Sequence, residues 1–219
     1  MKALVVVGGG GHGRELLDVV EAVNAVRPQF DLLGVLDDGT PDLEVLAACG
    51  VRHLGPVRLL AELDAQYVLG IGSPDARRVI DLAATEWGRV PATLVHPSAV
   101  VGRRVTLGPG TVVCGLASIT TNVRTGRHVH LNIAATVAHD CRLGDYVTLA
   151  PGARLSGAVT AGEGSTIGTG AVVIQGCAVG AGTIVGAGAV VVRDLPADVV
   201  AVGVPARPRP SARNASGVP

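Results

Sequence analysis

Aromatic side chains are almost absent from this chain: Phe30, Tyr67, Trp87 and Tyr146 are the whole set, 2% of 219 residues. So few rings leave no platform on which nucleic-acid bases could stack. Charge of either sign is not in excess, with 18 Lys plus Arg against 18 Asp plus Glu. That balance removes the basic field that would hold nucleic acid and the acidic tail that would seek a charged partner. Cysteine is sparse, and Cys49, Cys114, Cys141 and Cys177 fall in no C-x-x-C or other metal spacing, so no metal is expected. Long apolar runs are missing too. The opening MKALVVVGGGG is too short for a signal peptide or a membrane span, which makes the cytoplasm the expected compartment.

What the chain does have is a repeat. From Val101 to Val191 it recurs every six residues without insertion, and at positions 101, 107, 113 and onward every residue but Thr125 and Ala161 is Leu, Ile or Val. A second column four residues on, from Val105 to Ala189, holds only Val or small residues, Cys141 and Cys177 among them. Gly stands directly after the first column at 102, 108, 126, 144, 162, 168, 180 and 186. A period of six fits neither an α-helix nor a lone strand; it is the hexapeptide signature of a parallel β-helix. Each hexad supplies one short strand and one corner, and three hexads close a triangular coil. The aliphatic column is expected to point inward and the small column to fit the corners, where a thiol behaves as a small hydrophobe. The glycines are expected to supply the positive φ of the corners.

Before Val95 the pattern changes. Ala3 to Val7 reads as a buried strand, Arg14 to Val26 as a helix, Leu32 to Leu36 and Tyr67 to Ile71 as strands, and Asp75 to Glu86 as a helix. Alternating strands and helices predict a small Rossmann-like parallel sheet. The chain is thus divided into an α/β domain over 1–94, an all-β helix over 95–206 and a flexible tail over 207–219. In parallel sheets ligands collect at the carboxyl ends of the strands, where Gly8 to Gly13, Asp37-Asp38 and Gly72-Ser73-Pro74-Asp75 fall. GGGGHG satisfies G-x-G-x-x-G between a strand and a helix, with an acid at ribose-binding distance. Only about half of a dinucleotide domain is present, so a nucleotide diphosphate suits the loop as well as NAD does. A tight turn that merely needs glycine is the other reading.

The two halves together resemble a family. GGGGHGRE at 8–15, LDD at 36–38, GIGSPDARR at 70–78, HPSA at 96–99, HDCRLGD at 139–145 and GVPA at 203–206 are similar to segments of the hexapeptide sugar acetyltransferases, which include the sialic-acid O-acetyltransferases and the bacillosamine and perosamine N-acetyltransferases. The resemblance implies a left-handed β-helix and an acetyl-CoA-dependent homotrimer with active sites at its subunit interfaces. The acceptor would be a nucleotide-linked sugar, its nucleotide held by the N-terminal domain at Gly10, Gly11, His12, Gly13, Asp37, Asp38 and Ser73.

Acetyl transfer from a thioester to an amine needs a base and a donor to the oxyanion, and no enzyme nucleophile. His139 lies two residues after the inward Val137, outside both buried columns, with Asp140 beside it to orient the ring. The resemblance makes His139 the base. Gly157, eighteen residues on, stacks next to His139 and by the resemblance offers its N–H to the oxyanion; a plain corner glycine is the alternative. Asn132 matches an asparagine that lies near the sugar amine in related enzymes. Thr148 stands where some relatives carry a second histidine on the acetyl-CoA side. Acetyl-CoA is expected along the groove, capped near Val204 and Pro205. His128 and His130 are read as lying near a corner, where they could line the groove between subunits, exposed histidines without a role being the other reading; His96 is read as part of the join between domains and His53 as structural. Asn214-Ala215-Ser216 matches a glycosylation sequon by chance.

Rival functions follow from the same residues. O-acetylation of a sialic-acid-type sugar would use the same base on a hydroxyl. A non-catalytic trimeric β-helix binding a nucleotide or zinc would need three convergent histidines, a spacing that His128, His130 and His139 do not reproduce. An NAD oxidoreductase would leave half the chain without a role.

Overall fold

Leu4 to Val7 are wholly buried in the computed structural model, which describes residues 1–210. They lie in β1 (Lys2–Val7), an apolar run of the kind that parallel strands covered on both faces require. Then come α1 (Gly11–Val26), β2 (Phe30–Leu36), α2 (Leu43–Ala48), β3 (His53–Gly55), β4 (Gln66–Leu69) and α3 (Pro74–Glu86). The sheet order is β3-β2-β1-β4, with every pair parallel. The chain leaves β1 in one direction and returns on its other side as β4, so the crevice at the carboxyl ends of β1 and β4 is a topological switch point. Asp42 caps α2, and Ser73 caps α3 ahead of Pro74. The start of α1 has no side-chain cap, because glycine stands there. Helix α1 also begins earlier than its apolar periodicity, inside the glycine loop. The short α2 and β3 have no counterpart in the periodicity reading.

Two compact units result, the first Met1–Pro97 and the second beginning at Ser98. In the second, two-residue strands recur at steps of six from Val112–Val113 to Val190–Val191. They pair in parallel with the residue eighteen further on, giving three ladders: His130↔Thr148↔Thr166, Val137↔Leu155↔Val173 and Leu143↔Ala161↔Val179. This is a triangular parallel β-helix. Val113, Leu149, Ile167, Val173 and Val185 are fully buried along its axis, each worth about 1.5–3 kcal/mol of burial. Thr125 is tolerated in this column because its hydroxyl meets Thr111 Oγ1 at 3.1 Å and accepts from Gly108 N at 2.9 Å.

The glycines after the first column serve a different purpose from the one expected. Positive φ falls two positions later, at Leu116, Asn122, His128, Ala134, Asp140, Tyr146 and Ala158 and at glycines such as Gly110 and Gly164. A Cβ on Gly102 would collide with Thr120 O, and one on Gly144 would lie 2.7 Å from Glu163 N. Glycine is needed there because the next coil passes too close for any side chain.

Past Val191 the step shortens: Val179 pairs with Leu195 and Val185 with Ala201, sixteen residues on. Strand Val199–Val202 then folds back on Arg207–Pro210 as an antiparallel pair. The first four residues of the expected tail are therefore a strand, fixed by backbone pairing. Residues 211–219, with Asn214, lie outside the described residues. Among the described residues no helix is long and apolar enough to cross a membrane.

Candidate active site

His139 and Asp140 occupy a corner of the β-helix, and each side chain is half exposed. Asp140 is one of the corner residues with positive φ, +64°, a conformation that Asp and Asn accept more readily than most residues. Its Oδ2 lies 2.7 Å from His139 Nδ1. Its Oδ1 accepts from the side-chain amide of Asn122, one coil earlier. These bonds, Asn122's first and His139's second, hold the Asp140 carboxyl below the usual carboxylate range. An ionised carboxylate only accepts, so Nδ1 carries the ring proton and Nε2 keeps the basic lone pair.

Nε2 faces Gly157. A Cβ on Gly157 would stand 2.5 Å from that nitrogen, so the imidazole packs directly on the glycine of the next coil. Gly157 is buried, and among the described residues its N–H meets no hydrogen-bond acceptor. A base and an uncommitted donor therefore lie side by side. Cys141 only packs here: its Sγ donates to Ser156 O at 3.1 Å, and burial pushes the thiol up.

The other expected β-helix residues are less alike. Asn132 Nδ2 donates to Leu149 O at 3.0 Å, tying one coil to the next. Thr148 is buried, paired in register with His130. Val204 is 74% exposed at the turn of the terminal hairpin, joined to Pro205 by a cis peptide bond. His128 and His130 are not exposed corner residues: both are buried, and the His128 ring stacks on Tyr146 one coil on, with centroids 6.0 Å apart. Among the described residues no three His, Cys, Asp or Glu side chains gather as a metal-holding group.

In the N-terminal unit a cavity of about 420 Å³ opens at the switch point, lined by the glycine loop, His12, Asp37, Asp38, Val57 and the 70–72 loop with Ile80. Gly10 and Gly11 have open space where a Cβ would be, so backbone there is accessible to a ligand. Asp37 shapes the loop, accepting from Gly9 N at 2.6 Å and Gly39 N at 2.7 Å. Asp38 accepts from Val57 N. His12 Nδ1 lies 2.9 Å from Glu15 Oε2. Ser73 caps α3 through Ala76 N and is not among the residues lining the cavity. Gly13 is a packing glycine: a Cβ would strike Gly8 O at the end of β1. Gly13→Ala is therefore expected to cost about 1–3 kcal/mol by overpacking and to lower the melting temperature by several degrees. An unchanged thermal melt would contradict this close approach.

Residues 3–80 match the PglD N-terminal domain family. The curated GDP-perosamine N-acetyltransferase of Escherichia coli O157:H7 is 34% identical over 141 residues, 62% of this chain and 62% of that protein. The alignment thus spans less than two thirds of that relative. The crystal structure of PerB from Caulobacter crescentus, with CoA and GDP-perosamine, is 36% identical with a TM-score of 0.87, covering 95% of this chain and 98% of that one. The acetyltransferase domain of PglB from Neisseria gonorrhoeae FA1090, solved with acetyl coenzyme A, is 35% identical with a TM-score of 0.84, covering 95% and 99%. The chain belongs to the hexapeptide sugar N-acetyltransferases.

Two polar residues of this family member escape a reading of its sequence. Asn122 is separated from Asp140 by a full coil, so only the eighteen-residue stacking reveals the pair. Arg77 carries a charge yet is fully buried. Its Nη1 donates to Ile71 O at 3.0 Å and Gly72 O at 2.9 Å, holding the loop that lines the cavity. No local pattern distinguishes it from the exposed Arg78 beside it.

Proposed function

We propose that this protein transfers the acetyl group of acetyl-CoA to the amine of a nucleotide-linked amino sugar, a 4-amino-4,6-dideoxyhexose. The observation that carries this reading is the His139 imidazole, bonded to Asp140 on one side and packed on Gly157 on the other. The sugar amine attacks the thioester carbonyl while Nε2 of His139 takes the amine proton. Asp140 accepts from Nδ1 and stabilises the imidazolium that forms. The Gly157 N–H donates to the oxyanion of the tetrahedral intermediate. Collapse breaks the carbon–sulfur bond, and the proton passes from His139 to the departing CoA sulfur. The products are an N-acetyl sugar and CoA thiol, with no covalent enzyme intermediate.

Each substrate has a place in this proposal. The nucleotide lies at Gly10, Gly11, His12 and Gly13, where the uncapped start of α1 turns backbone N–H groups toward phosphate oxygens. Asp37 and Asp38 face its ribose, and Ser73 lies near the same loop. Asn132 contacts the sugar through its Oδ1, which accepts from no group among the described residues. Acetyl-CoA runs past Thr148 toward Val204 and Pro205. The working assembly is a homotrimer in which a neighbouring copy completes each groove, and it acts in the cytoplasm. The test is acceptor-dependent thiol release from acetyl-CoA with a panel of UDP-, GDP- and dTDP-linked amino sugars. Release with at least one of them is expected. Release with a free sialic-acid-type sugar alone would favour O-acetylation, and no acceptor-dependent release would overturn the proposal.

A further inference from the structure

Asp140 stands in an unusual position for a residue that must hold an imidazole still. It is exposed at a corner, and one neighbour on its own coil, His139, uses only Oδ2. The second oxygen is taken by Asn122, eighteen residues earlier, itself a corner residue with φ +56°. The backbone beneath reinforces the stack, since Asp140 N donates to Thr121 O at 3.1 Å and Ala158 N to His139 O at 2.7 Å. The Asp140 carboxylate thereby links two successive coils, with Asn122 below it and His139 beside it, and the His139 ring packs on Gly157 in the coil above.

We propose that Asn122 is a positioning residue for acetyl transfer, fixing the rotation of the Asp140 carboxylate so that one oxygen is always presented to His139 Nδ1. The inference rests on the reading of His139 as the base. A carboxylate on a short side chain has one free torsion that matters here, and a single bond to a half-exposed imidazole does not set it. A second bond from a different coil does, because both ends are anchored to the ladder. The same bond favours the ionised carboxylate, which keeps Nδ1 as the donor and Nε2 as the base. The groups facing Asp140 are few. Its own coil gives His139 and the buried Cys141 thiol, the coil before gives Asn122 and Thr121, and the coil after gives Gly157 and Ala158. Of these only His139 and Cys141 titrate.

Asn122→Gly is the informative variant, since glycine adopts the positive φ without strain and removes only the side chain. It should lower kcat on the order of tenfold, the lower end of what losing an outer partner of a functional histidine costs at metal sites, with KM for acetyl-CoA unchanged. Carboxyl-carbon NMR should show Asp140 titrating at higher pH than in the native protein. The sign follows from the lost donors: a depressed carboxyl keeps its charge until pH falls below its folded value, and removing Asn122 raises that value. Asn122→Asp, which sets an acceptor against an acceptor, should lower kcat further. Native kcat in Asn122→Gly, or a lower kcat with Asp140 titration unmoved, would overturn the role of Asn122. If His139→Ala also retains native kcat, the base assignment itself fails, so the two failures are separable.

Discussion

His139→Ala is expected to lower kcat by about 10²–10⁴-fold, the range for removal of a positioned general base, while the thermal melt stays at the native value. The side chain is half exposed and belongs to neither buried column, so its loss opens no core cavity. Its backbone carbonyl, which accepts from Ala158 N, survives the substitution and keeps the coils in register. Steady-state thiol release and a melting curve on the same preparation check both halves of this result. Turnover near the native rate would remove His139 from the chemistry.

Gly157→Ala is the second large effect, and it tests geometry rather than chemistry. Gly157 is not among the residues with positive φ, so the backbone accepts alanine. The added Cβ would lie 2.5 Å from His139 Nε2, and the ring must swing off the corner to make room. A displacement of about 1 Å in a catalytic group costs on the order of 10²-fold, so kcat should fall by that much although the Gly157 N–H remains. The loss should vanish in combination with His139→Ala, because no ring is left to displace; groups that act as a unit are non-additive in this way. Native kcat in Gly157→Ala, or losses that simply add in the double variant, would contradict the packing of base on glycine.

The β-helix was legible because its period is imposed by stacking. An inward column must recur where each short strand recurs, and Val113, Leu131 and Leu149 show that recurrence in the sequence as plainly as in the ladder. The roles of its glycines were not legible. A glycine required for close approach and one required for positive φ look the same in a sequence, and only the collision that a Cβ on Gly102 would make with Thr120 O separates them. His139 and Asp140 are neighbours in the chain, so their pairing could be read directly. Asn122 and the stack of His128 on Tyr146 join residues a full coil apart, and a local reading passes over both. In the N-terminal unit the long α1 and α3 followed from their apolar spacing, whereas α2 and β3 are too short to have a period. Asp37 accepts from Gly9 N in the glycine loop and from Gly39 N in its own, and Ser73 caps α3 through Ala76 N, structural uses that a ligand-centred reading of acidic and hydroxyl residues does not anticipate. Arg77 was missed because burial of a charge has no sequence signature; it depends on the carbonyls of Ile71 and Gly72 turning inward to meet it.

The reaction itself is tested most directly by the bond that it forms. Incubating the protein with carbon-13-labelled acetyl-CoA and the nucleotide-linked amino sugar that drives thiol release, then recording the product by NMR, shows where the label goes. The expected product bears the label as an amide on the sugar nitrogen, and His139→Ala forms it at a small fraction of the native rate. Label recovered as an ester on a sugar oxygen, or as free acetate with the amine untouched, would contradict N-acetylation.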